Sequence, residues 1–173
     1  MPARRRHWNL AAALACGLAA ACATTQRIEA AGDVHALLIA IRDDDHAVFD
    51  AHVDRAALEG ELSARILEAT QKPGQPAPVQ GLGVALAGPL AKLAAQALLR
   101  PKVFLAVARH YGYQPGTPIP PQLAIAGDLR ALPDGRVCAM GRRGGPCVIT
   151  FADEAGVWRL VSFDGDLGLL GAK

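Results

Sequence analysis

Two periods divide the chain. From Val34 to His110 apolar side chains recur mostly every three or four residues, the spacing of a helix face. From Leu123 to Phe163 they recur every two, as on one face of a strand. The helical part opens with VHALLIAIRDDD, where Asp33 is placed to cap and Leu37, Leu38 and Ile41 share a side. Asp43-Asp44-Asp45 breaks or reorients that helix. HAVFDAHVD follows, with Phe49 and Val53 four apart, and Asp54 is placed to cap RAALEGELSARILEAT. There Leu58, Leu62 and Ile66 form the apolar stripe, and Glu59, Glu61, Arg65 and Glu68 the polar one. Lys72 to Gln80 is a proline-rich linker. In the apolar stretch GLGVALAGPLAKLAAQALL, Gly88-Pro89 reads as the start of a helix running to about Arg100. Pro101 restarts a shorter helix through Tyr111, which Gly112 closes.

After the loop GYQPGTPIPPQ the strand period begins in LAIAGDLRAL, placing Leu123, Ile125 and Leu129 on one face. Pro133-Asp134-Gly135 is a turn. The segment GRVCAMGRRGGPCVITFADEAGVWRLVSF reads as three short strands, its last hairpin turning over Asp153 to Gly156. Pairing Ala152 with Val157 sets Phe151 opposite Trp158 and Ile149 opposite Leu160 as one apolar face. The other face carries Val148, Val157, Val161 and Phe163 beside Thr150 and Arg159, and is either a partial core or a homodimer or partner contact. A sheet this small needs a helical layer over its apolar face. The expected fold is therefore α+β, with N-terminal helices packed on a C-terminal antiparallel sheet of about four strands.

Three stretches carry a resemblance: AIRDDDHAVFDAHVDRAALEGELSARI, then GPLAKLAAQALLRPKVFLAV, then the terminal VWRLVSF. Over roughly residues 33–163 the chain resembles a proteobacterial domain-of-unknown-function envelope family with an A-I-R-x-x-D … V-D-x-x-A-L … W-R-L-V pattern. It departs from that pattern at Arg100-Pro101-Lys102, where Thr-Pro-Glu is usual. The resemblance implies a cystatin-like, nuclear-transport-factor-2-like cone, with helices on a curved antiparallel sheet. It implies no reaction.

The first residues change the picture of where the domain sits. Arg4, Arg5 and Arg6 precede an apolar run from Leu10 to Ala23, shorter than the roughly 20 residues of a spanning helix. Ala19-Ala20-Ala21-Cys22 resembles a bacterial lipoprotein box, which implies lipidation of Cys22 after removal of residues 1–21. Cleavage at Ala21-Cys22-Ala23 with a soluble start at Thr24, and an earlier box at Cys16, are the alternatives. The expected organisation is a signal peptide (1–21), a lipid-anchored tether (22–32) and one domain (33–173). Lipidation implies the cell envelope, facing the periplasm and held to the outer membrane. Removing three arginines from 18 basic residues leaves 15 against 16 acidic, a net charge of −1. With no basic field left, a nucleic-acid partner is not expected.

Candidate chemistry is sparse. His46, Asp50 and Asp54 stand four apart, as on one face of a metal or acid–base site, but also as on an ordinary solvated face whose aspartates cap helices. His35, His52 and His110 are scattered. Gly81-Leu82-Gly83 lacks the third glycine of a nucleotide loop, because Leu86 occupies its place. Residues 81–99 hold Pro89, Lys92 and Gln96, which favours a buried helix over a membrane-inserted one. The inward strand positions are all apolar. No metal, cofactor or catalytic residue is expected. The reading is a non-enzymatic envelope lipoprotein that binds or supports a partner. A cone-fold enzyme or small apolar-ligand binder, with its site in the helix–sheet pocket, is the alternative.

Cys138 and Cys147 are the two cysteines left after Cys22, and an oxidising compartment favours their bond. A turn at Arg142-Arg143 puts them directly opposite. A turn at Gly144-Gly145 staggers them by four residues and forbids the bond, and a wider loop over Arg142 to Gly145 leaves them diagonal. The bond is the expected state.

Overall fold

The computed structural model describes residues 3–70, 80–110, 112–141 and 145–164. Helices α1 (Ala3–Asp43), α2 (His46–Ala51), α3 (Arg55–Thr70), α4 (Gln80–Leu98), α5 (Pro101–His110) and α6 (Gln122–Asp128) precede the strands. Strands β1 (Leu129–Ala131), β2 (Val137–Met140), β3 (Cys147–Glu154) and β4 (Val157–Phe163) form one antiparallel sheet in the order β1-β2-β3-β4. The helices pack against it, so the fold is α+β as the two periods require. The core joins Leu37, Phe49 and Leu58 of the helices to Val137, Phe151 and Leu160 of the sheet. Phe49 is fully buried and meets Phe104 edge-on, ring centroids 5.2 Å apart.

The acidic triplet works as three separate devices. Asp43 pairs with Arg42. Asp44 takes the left-handed conformation (φ 58°) just past α1, and the Asp45 N–H returns to the Ala40 carbonyl at 2.9 Å, the closing bond of a Schellman turn. Asp45 then caps α2, its carboxylate accepting from the N–H groups of Ala47 and Val48. The same closure recurs at Gly112 (φ 98°), where the Tyr113 N–H reaches the Ala108 carbonyl.

Four local expectations are corrected. Asp33 caps nothing: α1 runs helical through the stretch expected as a tether, and Ala30 and Ala31 are already fully buried. Gly88-Pro89 does not start α4, which begins at Gln80. Pro89 sits inside the helix on its exposed side, where water can reach the carbonyl left without an N–H donor. Where its side chains are described, from Gly88 onward, the helix expected to be buried has one buried face, through Ala91 and Ala95 and continued by Leu99 just past its end, while Leu90 and Leu93 are more than 60% exposed. Residues from Gln122 form a helix rather than a strand. Ile125 and Leu129 are four apart, a spacing that both periods satisfy, but Leu123 is two from Ile125 and stands 78% exposed.

The last hairpin turns one residue later than expected. Glu154 pairs with Val157 across Ala155 (φ 56°) and Gly156 (φ 87°), a two-residue turn with both centres left-handed. Phe151 therefore faces Leu160 instead of Trp158, but the shift keeps parity and all three remain on the buried face. A bulge then leaves Val161 unopposed and re-aims Phe163, which faces Ile149 on the helical side and not the outer side.

Candidate functional site

His46, Asp50 and Asp54 do not converge. His46 Nε2 lies 3.6 Å from Asp44, Asp50 pairs with Arg55, and the Asp54 carboxylate accepts from the Ala57 N–H as the cap of α3. Among the described residues no group of three His, Cys, Asp or Glu side chains could hold a metal ion. Gly81 to Gly83 lie within α4 and form no loop. The Cys22 side chain lies outside the described residues.

Cys138 and Cys147 are bonded, with Cα atoms 5.6 Å apart. Neither two-residue turn describes them. Cys138 lies opposite Thr150 and Cys147 opposite Met140, so the cysteines are diagonal, and a bulge that leaves Val148 unopposed brings them together. The bond sits on the outer face of the sheet and ties β2 to β3.

A titratable pair that joins the helices to the sheet was not among the candidates. Asp33, on α1, accepts the backbone N–H of Trp158 through Oδ2 at 2.8 Å, and its Oδ1 lies 3.4 Å from His52 Nε2. His52 Nδ1 is 2.8 Å from the Val48 carbonyl, which can only accept, so that nitrogen carries a hydrogen. Around this pair the chain adds a short parallel edge to the sheet. The Leu160 N–H donates to the His52 carbonyl and the Asp54 N–H to the Leu160 carbonyl, with Val53 bridged to Leu160. Asp33 and His52 face neither described cavity; they clamp α1 and α2 to β4.

Open space lies on the two sides of α5 instead. On one side a cleft of about 210 Å³ runs between α1, α5 and the proline-rich loop, walled by Leu38, Ile41, Leu105, Ala108, Ile119 and Pro120. Arg42, Tyr113 and Thr117 supply its polar atoms. Arg42 donates to both carboxylate oxygens of Asp43, at 2.7 and 2.8 Å. That bond raises the guanidinium pKa and lowers the Asp43 carboxyl below its ordinary value. The charge at the mouth is therefore already balanced. The Tyr113 hydroxyl donates to the Thr117 carbonyl, 3.3 Å away, and folds the loop over the cleft. On the other side of α5 a narrower apolar groove of about 50 Å³ lies between α3, the end of α4 and Phe163.

The cleft residues were not picked out from sequence. The one signal available was Tyr113 and Ile119, bulky side chains in a loop otherwise made of Pro, Gly, Gln and Thr. Comparisons with protein-family models, with curated proteins and with solved structures gave no match.

Proposed function

We propose that the protein is a lipid-anchored envelope domain that binds a small apolar ligand, or an apolar side chain of a partner, in the cleft between α1, α5 and the 113–120 loop. The observation that carries this reading is the cleft itself. At about 210 Å³ it exceeds the roughly 150 Å³ that accommodates benzene in an engineered cavity. It is apolar on its walls and polar only at Arg42, Tyr113 and Thr117, which is the usual make-up of a small-molecule site. Because Asp43 already balances Arg42, the polar end it suits is neutral rather than anionic.

The anchor is Cys22, supported by the basic start, the apolar run and the small residues before the cysteine. Only residues 23–29 then separate lipid from packed core, and they are helical. At 1.5 Å per residue that post is roughly 10 Å long. The cleft, at the Leu38–Arg42 end of α1, lies roughly 24–30 Å along the helix from Cys22. Bulges bend the strands that carry them, and the two in this sheet support a reading of the fold as cone-type. Among the described residues no helix is long and apolar enough to cross a membrane.

Two measurements test it. Intact-mass analysis of the membrane fraction should show a diacylglyceryl-cysteine start at Cys22; a free Thr24 start in the soluble fraction would overturn the anchor. Displacement of N-phenyl-1-naphthylamine by 1-octanol, abolished by Leu105→Asp, should report the cleft. Unchanged binding in that variant would place the ligand elsewhere.

A further inference from the structure

From Gly88 onward α4 has two apolar faces. One, formed by Ala91 and Ala95 and continued by Leu99, is buried. The other meets water: Leu90, Leu93, Ala94 and Ala97 are all exposed, the two leucines by more than 60%. Residues three, four and seven positions beyond Leu90 share its side of a helix, so the four form one continuous stripe. A solvated helix face is ordinarily polar, and an apolar one costs free energy in water until something covers it.

The order of residue sizes in the stripe suits a second copy of itself. Leucines fill its first half and alanines its second. Two such helices laid antiparallel about a two-fold axis between residues 93 and 94 set Leu90 against the partner's Ala97 and Leu93 against the partner's Ala94. Every large side chain then meets a small one, as interdigitating helices require. The contact is also isologous, as a closed dimer requires. Charge on the flank agrees. Lys92 and Gln96 lie one turn apart on the same side of the stripe, and Lys92 is exposed with no carboxylate partner among the described residues. Gln96 donates to Glu59 Oε2 at 3.2 Å and holds that carboxylate, which has no cation of its own, at the edge of the stripe. The same axis brings Lys92 beside the partner's Gln96 and so to the partner's Glu59, twice per dimer. A lipid surface would be indifferent to the order of leucine and alanine, and anionic headgroups would repel Glu59.

We propose that α4 is a self-association surface, through which two copies of the chain pair antiparallel on Leu90, Leu93, Ala94 and Ala97, with Lys92 and Glu59 setting the register. Four residues a side cover less than the roughly 1,200 Å² of a standard interface, so the dimer is a weak, reversible one. This inference depends neither on the cleft's ligand nor on the anchor.

Sedimentation of the full chain in density-matched neutral detergent tests it. A monomer–dimer equilibrium is expected between micromolar and millimolar protein. Leu93→Glu should weaken it roughly a hundredfold or more, because each dimer buries that leucine twice. Ala94→Leu, which overfills the axis without adding charge, should also break the dimer. Lys92→Glu should weaken it a few-fold, and Lys92→Glu/Glu59→Lys should restore it. In an equal mixture of isotopically light and heavy chains, carbodiimide coupling should join Lys92 of one to Glu59 of the other. All four positions are outside the buried core, so the variants keep the fold, which circular dichroism checks. A chain that stays monomeric at every concentration would overturn the proposal, as would a dimer that Leu93→Glu leaves intact. Vesicle binding lost in Leu93→Glu by a chain that stays monomeric would overturn it in favour of a lipid-facing stripe.

Discussion

Around β4 the helical layer takes up backbone groups of Trp158, Leu160 and Phe163, whereas on the two flanks of α5 apolar surface is left half-covered. At β4, Asp33 takes the Trp158 N–H, His52 and Asp54 bond both sides of Leu160, and Glu61 reaches the Phe163 N–H. Trp158 and Leu160 are 5% and 1% exposed. On α5, Val103, Phe104, Leu105, Val107 and Ala108 are only half-buried and line the cleft or the groove. The difference separates two tasks. Polar groups already paired with one another specify one arrangement and have little left to offer a ligand. Apolar surface that the fold leaves uncovered is available for binding.

The contrast should appear first in stability. Leu160→Ala removes a side chain buried at the clamp and is expected to cost about 2–5 kcal/mol. Val107→Ala, on the half-covered flank, should cost about 1 kcal/mol or less. Urea unfolding of both variants checks the pair, and equal losses would break the comparison. Opening the Cys138–Cys147 bond, which closes a loop of nine residues' separation, should cost about 2.5 kcal/mol in the chain-entropy account. Thermal unfolding with and without reductant measures it, and the cleft should be unaffected.

Asp33→Ala comes next. It leaves the Trp158 N–H without its acceptor and the His52 ring without its facing carboxylate, an expected loss of about 1–3 kcal/mol. Trp158 emission should move toward its water-exposed value before global unfolding. The smallest effect is electrostatic. Asp43 and Asp134 have lowered folded pKa values, mainly through hydrogen bonds from Arg42 and Arg136. A depressed carboxyl contributes stability that is fully present above its unfolded pKa and is lost as pH falls through its folded value. Both contributions should thus be intact at neutral pH and vanish only in acid, below the ordinary 3.8. Both side chains are exposed, so Asp43→Asn should leave the unfolding midpoint at neutral pH almost unchanged.

Much of this architecture was legible in local spacing. Leu58 and Leu62 mark the buried stripe of α3, and Gly112 and the aspartate triplet mark helix ends, because caps and amphipathic stripes are set by residues within one or two turns. The buried face of the last hairpin survived a wrong turn assignment because the error kept side-chain parity. Leu123 was misread because spacings of two and four look alike until a helix is allowed. The disulfide's diagonal geometry depends on a bulge at Val148, which no two-residue turn describes. The clamp was invisible: Asp33 and Trp158 are 125 residues apart, and nothing near either one names the other. The cleft was hidden for the same reason, since Arg42 and Leu38 meet Ile119 only after α1, α5 and the loop have packed.

The most direct measurement is a methyl-resolved titration of the full chain with 1-octanol, repeated with octanoate. The expected result is saturable shifts at Leu38, Leu105 and Ile119, with Val137, Ile125 and Leu160 unmoved, and tighter binding of the alcohol than of the carboxylate because Asp43 already balances Arg42. Shifts spread evenly over core and cleft, no saturation, or binding centred on the Asp33–His52 clamp would contradict the assignment of binding to the uncovered flank of α5.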